Sequence, residues 1–289
     1  NLSMKKLQII FLNYLIKLKL SMNSVIKTTI LGCGSSGGVP RIDGDWGVCD
    51  PNNVKNIRSR CSILVERVTN DKKTVVLIDT SPDMRQQLLK AGVTNLDAVL
   101  YTHDHADQSG GIDDLRVFAL RKRERVNVYL DKDTASRLIP RFNYCFKSGE
   151  KHGYPSILSE NIIDPYKELI ISGPGGEISF TPFLQHHGSI FSLGFKYNNI
   201  AYSSDVVDFP VKSLDYLFNL DYWIVDALRV TPHPTHAHLG KTLQWIKDFN
   251  CKNALLTNMH IDLDYEQLSN ELPSNIKPCY DGYSFNIDI

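Results

Sequence analysis

His103, His105 and Asp107 alternate along one short stretch, Thr102-His103-Asp104-His105-Ala106-Asp107-Gln108. Imidazole and carboxylate are ligand types that zinc, manganese and iron accept. On a tight loop at this spacing, such side chains converge on one or two ions. Residues 96–101, Leu-Asp-Ala-Val-Leu-Tyr, read as a buried strand just before the cluster. Ser109-Gly110-Gly111 breaks the chain just after it, and residues 112–120 read as a helix. The cluster therefore falls at the carboxyl end of a strand, where α/β proteins place ligands. Further groups of the same chemistry follow predicted strands in the second half: Gln185-His186-His187-Gly188, Ser204-Asp205 and Asn258-Met259-His260. Singly, each reads as an ordinary polar residue. Four strand ends carrying metal-type side chains point together to one cation-binding pocket.

The elements that must position these groups follow from periodicity and turn chemistry. Residues 25–31 read as a strand, followed by Gly32-Cys33-Gly34-Ser35-Ser36-Gly37-Gly38-Val39-Pro40. This matches Gly-x-Gly-x-x-Gly, but a dinucleotide fingerprint needs a helix directly after the glycines. Pro40, Asp43, Gly44 and Asp45 exclude one. The loop can instead form a backbone nest for an anion, with Gly34 and Ser35 as candidate phosphate contacts, or a plain turn between strands. A long loop fills 39–60. Residues 62–68 and 74–78 read as a hairpin ending in Asp79, and a helix capped by Ser81 is predicted from Pro82 to Lys90. The basic run 121–125 reads as a solvated helix end, with a phosphate-facing rim as the alternative. Residues 126–130 read as a strand, 134–146 as a helix broken at Pro140, and 147–164 as a polar loop or lid. Strands are predicted over 169–172, 178–185, 192–197, 200–203, 222–225 and 254–257, and helices over 214–220, 239–249 and 265–272. A run of strands followed by strand–helix alternation occurs twice. That pattern suits an α/β fold of two sheets packed face to face with helices outside.

At 289 residues and 42% hydrophobic, the chain can bury a large core, which excludes a disordered protein. Lys plus Arg equals Asp plus Glu at 32 each, so no global charge draws the chain to nucleic acid or an acidic membrane. Six scattered cysteines contain no Cys-x-x-Cys pair, so reduced thiols in a cytoplasm are expected and a separate cysteine zinc site is not. The apolar residues 7–20 are interrupted by Lys17 and Lys19 and are too short for a membrane span. No small-x-small cleavage site follows them. The expectation is an extension over 1–22 ahead of a start at Met22, then one domain over 23–289. A helix lying on a bilayer is the alternative for the extension.

The stretch from His103 to Gln108 resembles the His-x-His-x-Asp-His signature of the metallo-β-lactamase superfamily, with Gln108 where the family carries a last histidine. The resemblance implies a four-layer αββα sandwich. It implies that His103, His105 and His187 hold one divalent ion, that Asp107 and His260 hold a second, and that Asp205 bridges them. The ions would be zinc or manganese, one or two per chain. His187 is preferred to His186 because it precedes Gly188. An amide oxygen is a poor zinc ligand, so Gln108 either leaves the second ion short of a ligand or hydrogen-bonds a ligand from behind. Asp79 closes a strand as an aspartate does in the superfamily, and is expected near the metals or simply at a helix entry.

Gly32-Cys33-Gly34, Cys61-Ser62, Ile112-Asp113-Asp114-Leu115-Arg116, Asp226-Ala227-Leu228-Arg229 and Pro232-His233-Pro234-Thr235-His236 extend the likeness. These stretches resemble the phosphoribosyl cyclic phosphate phosphodiesterases of the carbon–phosphorus lyase pathway. That implies a catalytic set of Asp107 and a histidine that protonates the leaving group, matched by His236, with His233 as runner-up. The implied reaction is hydrolysis of a small cyclic or nucleotide-like phosphodiester by a metal-activated hydroxide. That family also carries a cysteine-rich zinc site, and with Cys49 alone in the corresponding loop that zinc is not expected. Alternatives are a thioester or lactone metallohydrolase on the same fold, and a non-catalytic nucleotide- or RNA-binding protein with a weakened metal centre. The expected partner is a small phosphorylated substrate, with no stable nucleic-acid complex, no membrane span and a homodimer allowed.

Overall fold

Apolar residues alternate between two destinations along most strands of this chain, and that alternation generates its layers. The computed structural model describes residues 24–147 and 155–289. The first sheet contains β1 (Ser24–Gly32), β2 (Ser62–Thr69), β3 (Lys72–Ile78), β4 (Ala98–Leu100), β5 (Val126–Leu130) and β6 (Leu158–Ile162). The second contains β7 (Leu169–Ile171), β8 (Ile178–His187), β9 (Ile190–Tyr197), β10 (Ile200–Ser203), β11 (Tyr222–Asp226), β12 (Ala254–Thr257) and β13 (Ile276–Pro278). The last strand, β14 (Ser284–Asp288), returns to the first sheet, giving orders β14-β1-β2-β3-β4-β5-β6 and β13-β12-β11-β10-β9-β8-β7. Each sheet is antiparallel in its early hairpins and parallel thereafter, from β3 to β6 and from β10 to β13. Parallel neighbours need crossovers, and helices supply them: α1 (Met84–Ala91), α2 (Ala106–Ser109), α3 (Arg116–Lys122), α4 (Lys132–Arg141), α5 (Asn143–Phe146), α6 (Val211–Leu214), α7 (Leu239–Asp248) and α8 (Tyr265–Glu271).

Ile63, Val65, Val76, Ile78, Ala98 and Leu100 point between the sheets, against Phe180, Phe183, Leu193 and Phe195. Their strand neighbours Leu64, Val75, Leu77, Val99 and Tyr101 point the other way, onto Met84 and Leu88 of α1 and Ile112 and Leu115 ahead of α3. Both faces of the first sheet are thus apolar, as in sheets covered by helices. The result is the four-layer αββα sandwich. All six cysteines are buried free thiols, and Cys49 packs with Val39 and Ile261. No helix among the described residues is long and apolar enough to cross a membrane.

Several local expectations are corrected. Residues 158–162, expected within a loop or lid, form β6 in parallel register with β5. As an outermost strand it carries Ser159, Glu160 and Asn161, so it lacks the apolar alternation that marks a central strand. Residues 148–154 of that stretch, and the extension expected over 1–22, lie outside the described residues. Pro140 does not break its helix. It sits in the exposed last turn of α4, where losing one bond to the exposed Ser136 carbonyl is cheap, and the chain bends at Phe142 instead. The helix predicted over 214–220 is displaced to α6. Leu217 and Leu220 are buried on turns that pass through Asn219 at φ 55°. α1 starts at Met84 rather than Pro82, and Ser81 caps nothing but accepts from Asp83 N at 3.2 Å and donates to Gln87 at 2.9 Å.

Phe180 is fully buried between the sheets, with its ring 5.4 Å from Tyr197 and 6.5 Å from Phe195. Phe180→Ala should destabilise the protein by about 3–5 kcal/mol, read as a lower urea midpoint at unchanged slope.

Candidate metal centre

Parallel strands send their carboxyl ends to one edge of each sheet, and the candidate ligands leave from those ends. Asp79 follows β3, His103 follows β4, His187 ends β8, Asp205 follows β10, Asp226 ends β11, and Asn258 follows β12. Asp79, Asp205 and Asn258 have φ of 65°, 49° and 60°. That left-handed region is tolerated by Asp and Asn better than by most residues, and it turns the chain sharply off each sheet.

His103 is fully buried. Its Nδ1 lies 3.0 Å from Thr102 Oγ1, whose hydroxyl donates to Asp79 at 2.8 Å. Thr102 N donates to the same carboxylate at 2.8 Å. The hydroxyl proton is therefore committed to Asp79, so Thr102 Oγ1 accepts from His103 Nδ1–H. This leaves Nε2 as a bare lone pair, buried and without a partner among the described residues. His187 is fixed in the same way. Its Nδ1 donates to the Thr235 carbonyl at 2.8 Å, and its Nε2 faces His105 Nδ1 at 3.3 Å. Ligand atoms of His103, His105 and His187 lie within 4.8 Å of one another. Burial pushes the His103 imidazole well below its ordinary pKa, and His187 and His105 push it the same way. A buried orphan nitrogen, facing lone pairs and imidazole held neutral are what a cation relieves. These residues fit a divalent metal.

A second group, His187, Asp205 and His236, meets the same distance limit. Asp205 is buried. Its Oδ2 accepts from Gln108 Nε2 at 3.0 Å, and its Oδ1 lies 4.0 Å from His236 Nε2. Gln108 therefore acts from behind a candidate ligand. His236 Nδ1 donates to buried Asp226 at 2.7 Å, and Asn258 Nδ2 lies 3.2 Å from the same nitrogen. Burial disfavours the charged form of His236, but Asp226, with Asp205 and Asp107 beyond it, holds its pKa up at about 9. The resemblance implied Asp107, Asp205 and His260 around a second ion, and only Asp205 of these belongs to the observed group. Asp107 is half-buried, and burial and then the Asp205 carboxylate raise its pKa, so the two carboxylates are close enough to repel. His260 shares a cavity with His236; the Arg41 guanidinium contacts its Nε2, and its Nδ1 lies 3.2 Å from Asp262.

His236 also lines a cavity of about 230 Å³, together with residues 35–37, Arg41, Arg229, His233 and His260. Ser35 reaches this cavity. Gly34 does not line it, because it is pressed against the Arg58 backbone, where a Cβ would stand 2.8 Å from the carbonyl oxygen. His233 accepts from Thr235 Oγ1 at 3.1 Å and lies tilted against His236, with ring centroids 5.3 Å apart.

Sequence reasoning missed four supports. Thr102 orients His103, Thr235 orients His187, and Asp226 orients His236. Asp104, between the two histidines, is clamped by Arg137 Nε at 2.6 Å and Arg141 Nη2 at 3.1 Å. Asp226 stood in a quoted motif without a role, and nothing local signalled the arginines. The basic run ends α3 as a solvated cap, with Arg121 donating to the Thr94 carbonyl at 3.2 Å and Lys122 to that of Leu96 at 2.7 Å.

A family model described as a β-lactamase superfamily domain matches residues 74–261. A solved diphosphatase of the PhnP family is 30% identical, with a TM-score of 0.81 over 92% of this chain and 98% of that one. The octanoyltransferase of Porphyromonas gingivalis (strain ATCC BAA-308 / W83) is 30% identical over 266 residues, which cover 91% of this chain and 52% of that protein. The chain thus spans about half the length of the curated relative it matches. Zn(2+)-bound PqqB from Methylobacterium extorquens shares the fold at 16% identity, with a TM-score of 0.69 over 90% of this chain and 100% of that one.

Asp79 holds Thr102, and Thr102 holds the His103 ring. Thr102→Val should weaken zinc binding about 10–100-fold while Thr102→Ser, which keeps the hydroxyl, restores it. Chelator-competition titration reads both, and equal affinities for Val and Ser would remove the hydroxyl from the account.

Proposed function

The chain belongs to the metallo-β-lactamase superfamily, and we propose that it is a metal-dependent phosphodiesterase acting on a small, nucleotide-like phosphate ester. The carrying observation is His236. It lies between two carboxylates, with Nδ1 tied to Asp226 at 2.7 Å and Nε2 at 4.0 Å from Asp205, at the junction of the histidine cluster and a cationic cavity. His103, His105 and His187 would hold one divalent ion, with the buried Asp205 carboxylate beside His187 as a further candidate ligand. An ion bound there supplies Lewis acidity, stabilising charge on a phosphoryl oxygen and lowering the pKa of water. Imidazole with carboxylate suits zinc and manganese.

The chain's own residues do the rest. Asp226 fixes the His236 ring and commits Nδ1, so Nε2 is the nitrogen that faces a leaving oxygen. Two flanking carboxylates favour the imidazolium, which makes Nε2–H a proton donor rather than a ligand lone pair. General-acid help of this kind contributes typically about 10²–10⁴ in rate. The positive lining of Arg41 and Arg229 supports a phosphorylated substrate over an acyl chain, since Leu228 is the one aliphatic side chain among the described lining residues. The diphosphatase name of the 30%-identical structure is compatible with phosphoryl chemistry at this site.

With zinc or manganese, the protein should hydrolyse aryl phosphodiesters and 2′,3′-cyclic nucleotides, and chelation should abolish turnover. His236→Ala should lower kcat about 10²–10⁴-fold on a substrate with an alkoxide leaving group. It should matter little for a thioester, whose thiolate leaves unaided. A metal-loaded protein inert toward every phosphodiester tested overturns the reading.

A further inference from the structure

We infer that Asp107, Gln108 and Asp205 form an oxygen seat for a hard divalent ion, manganese or magnesium, beside the nitrogen seat of the three histidines. This rests on the metal-dependent reading of the same site and divides that site by ion type. The atom that points to it is Gln108 Oε1. Gln108 is fully buried. Its Nε2 donates to Asp205 Oδ2 at 3.0 Å, while its Oε1 is buried without a partner among the described residues. The hydrogen bond fixes which end of the amide meets the carboxylate, so the free oxygen is held close to Asp205. Leaving a buried acceptor unpaired costs about 1–3 kcal/mol, and a cation removes that cost.

The two acids call for the same cation. Asp205 is buried, and its ion-pair partner among the described residues is His236, with Nε2 at the long distance of 4.0 Å. Asp107 is half-buried, and the Asp205 charge acts on it as a like charge. Two close carboxylates repel unless positive charge stands between them. Asp107 and Gln108 are neighbours in α2, so one short helix presents a carboxylate and an amide to Asp205 from the other sheet's end. An oxygen of Asp205 also lies within 4.8 Å of a His187 nitrogen, which makes the two seats adjoin. Donor chemistry then assigns the ions. Imidazole suits zinc, whereas carboxylate and carbonyl oxygens suit magnesium and manganese. His103, His105 and His187 offer only nitrogens, and Asp107, Gln108 and Asp205 offer oxygens. Adding His260 would leave the oxygens in the majority. Gln108 is therefore the residue that keeps the seats unlike, since an imidazole at 108 would make the second resemble the first.

The test loads the metal-free full chain with one equivalent of zinc and titrates it with manganese(II), read by the electron paramagnetic resonance of the free ion. The zinc-loaded protein should take up about one manganese per chain. Zinc should outcompete manganese at the histidine seat by at least about tenfold more than at the oxygen seat. Gln108→Glu, which keeps an oxygen, should retain manganese uptake. Gln108→His should raise the zinc preference of the second seat at least about tenfold. An undiminished free-manganese signal with the zinc-loaded wild type overturns the inference, as do equal zinc preferences at the two seats. The wild-type competition decides the matter where a variant fails to fold. Hydrolysis of aryl phosphodiesters by the zinc-loaded chain tests the parent reading separately. Hydrolysis without manganese uptake leaves that reading standing and removes the oxygen seat. Manganese uptake without hydrolysis does the reverse.

Discussion

A lone pair sealed from solvent is a costly thing to build, and His103 Nε2 is one. The group on its other side is committed twice over, because Thr102 accepts from the ring and donates its own hydroxyl to Asp79. Asp79 in turn sits fully buried in left-handed backbone, where burial raises its pKa well above the ordinary carboxylate value and the two Thr102 bonds oppose that rise. A chain of fixed proton positions thus runs from the end of β3 through the end of β4 to one bare nitrogen. Leaving a buried acceptor unpaired costs about 1–3 kcal/mol. The fold bears that cost at the place where imidazoles from two sheets converge.

The same logic sorts the carboxylates around the cluster. Asp104 lies between the two histidines, yet Arg137 and Arg141 hold both its oxygens, so its charge is answered and it offers no ligand. Asp226 is answered by His236. Asp205 accepts from the neutral Gln108 amide and has His236 Nε2 at the longer distance of 4.0 Å, and Asp107 faces Asp205 as a like charge. The two acids without a hydrogen-bonded cation among the described residues are therefore those beside the histidines. Local charge balance, rather than position in the motif, separates candidate ligands from supports.

The layered architecture was legible because strand periodicity survives in the sequence wherever both faces of a strand are buried. Val76 and Leu77, or Val99 and Leu100, announce a strand before any partner is known. It failed where burial is one-sided or absent, as in β6, whose Ser159-Glu160-Asn161 runs along a sheet edge. It failed also at Leu214, Leu217 and Leu220, whose helical spacing serves a buried turn. At the site, residue types at strand ends led to His103, His105, His187 and Asp205. What could not be read was competition. His260 has the chemistry of a ligand, and nothing near it in sequence shows that Arg41, 219 residues earlier, contacts its Nε2. Nor does any sequence pattern say that Asp226 will meet His236 and not an ion.

The histidine cluster is also shared property. His103 and His105 leave the first sheet, and His187 ends a strand of the second. Neither half of the sandwich holds three of these nitrogens alone, so an ion bound here acts as a rivet through both. Cation occupancy then reports on the docking of the halves: whatever pries the sheets apart must also release the ion, and mass action lets dissolved metal tighten the whole body.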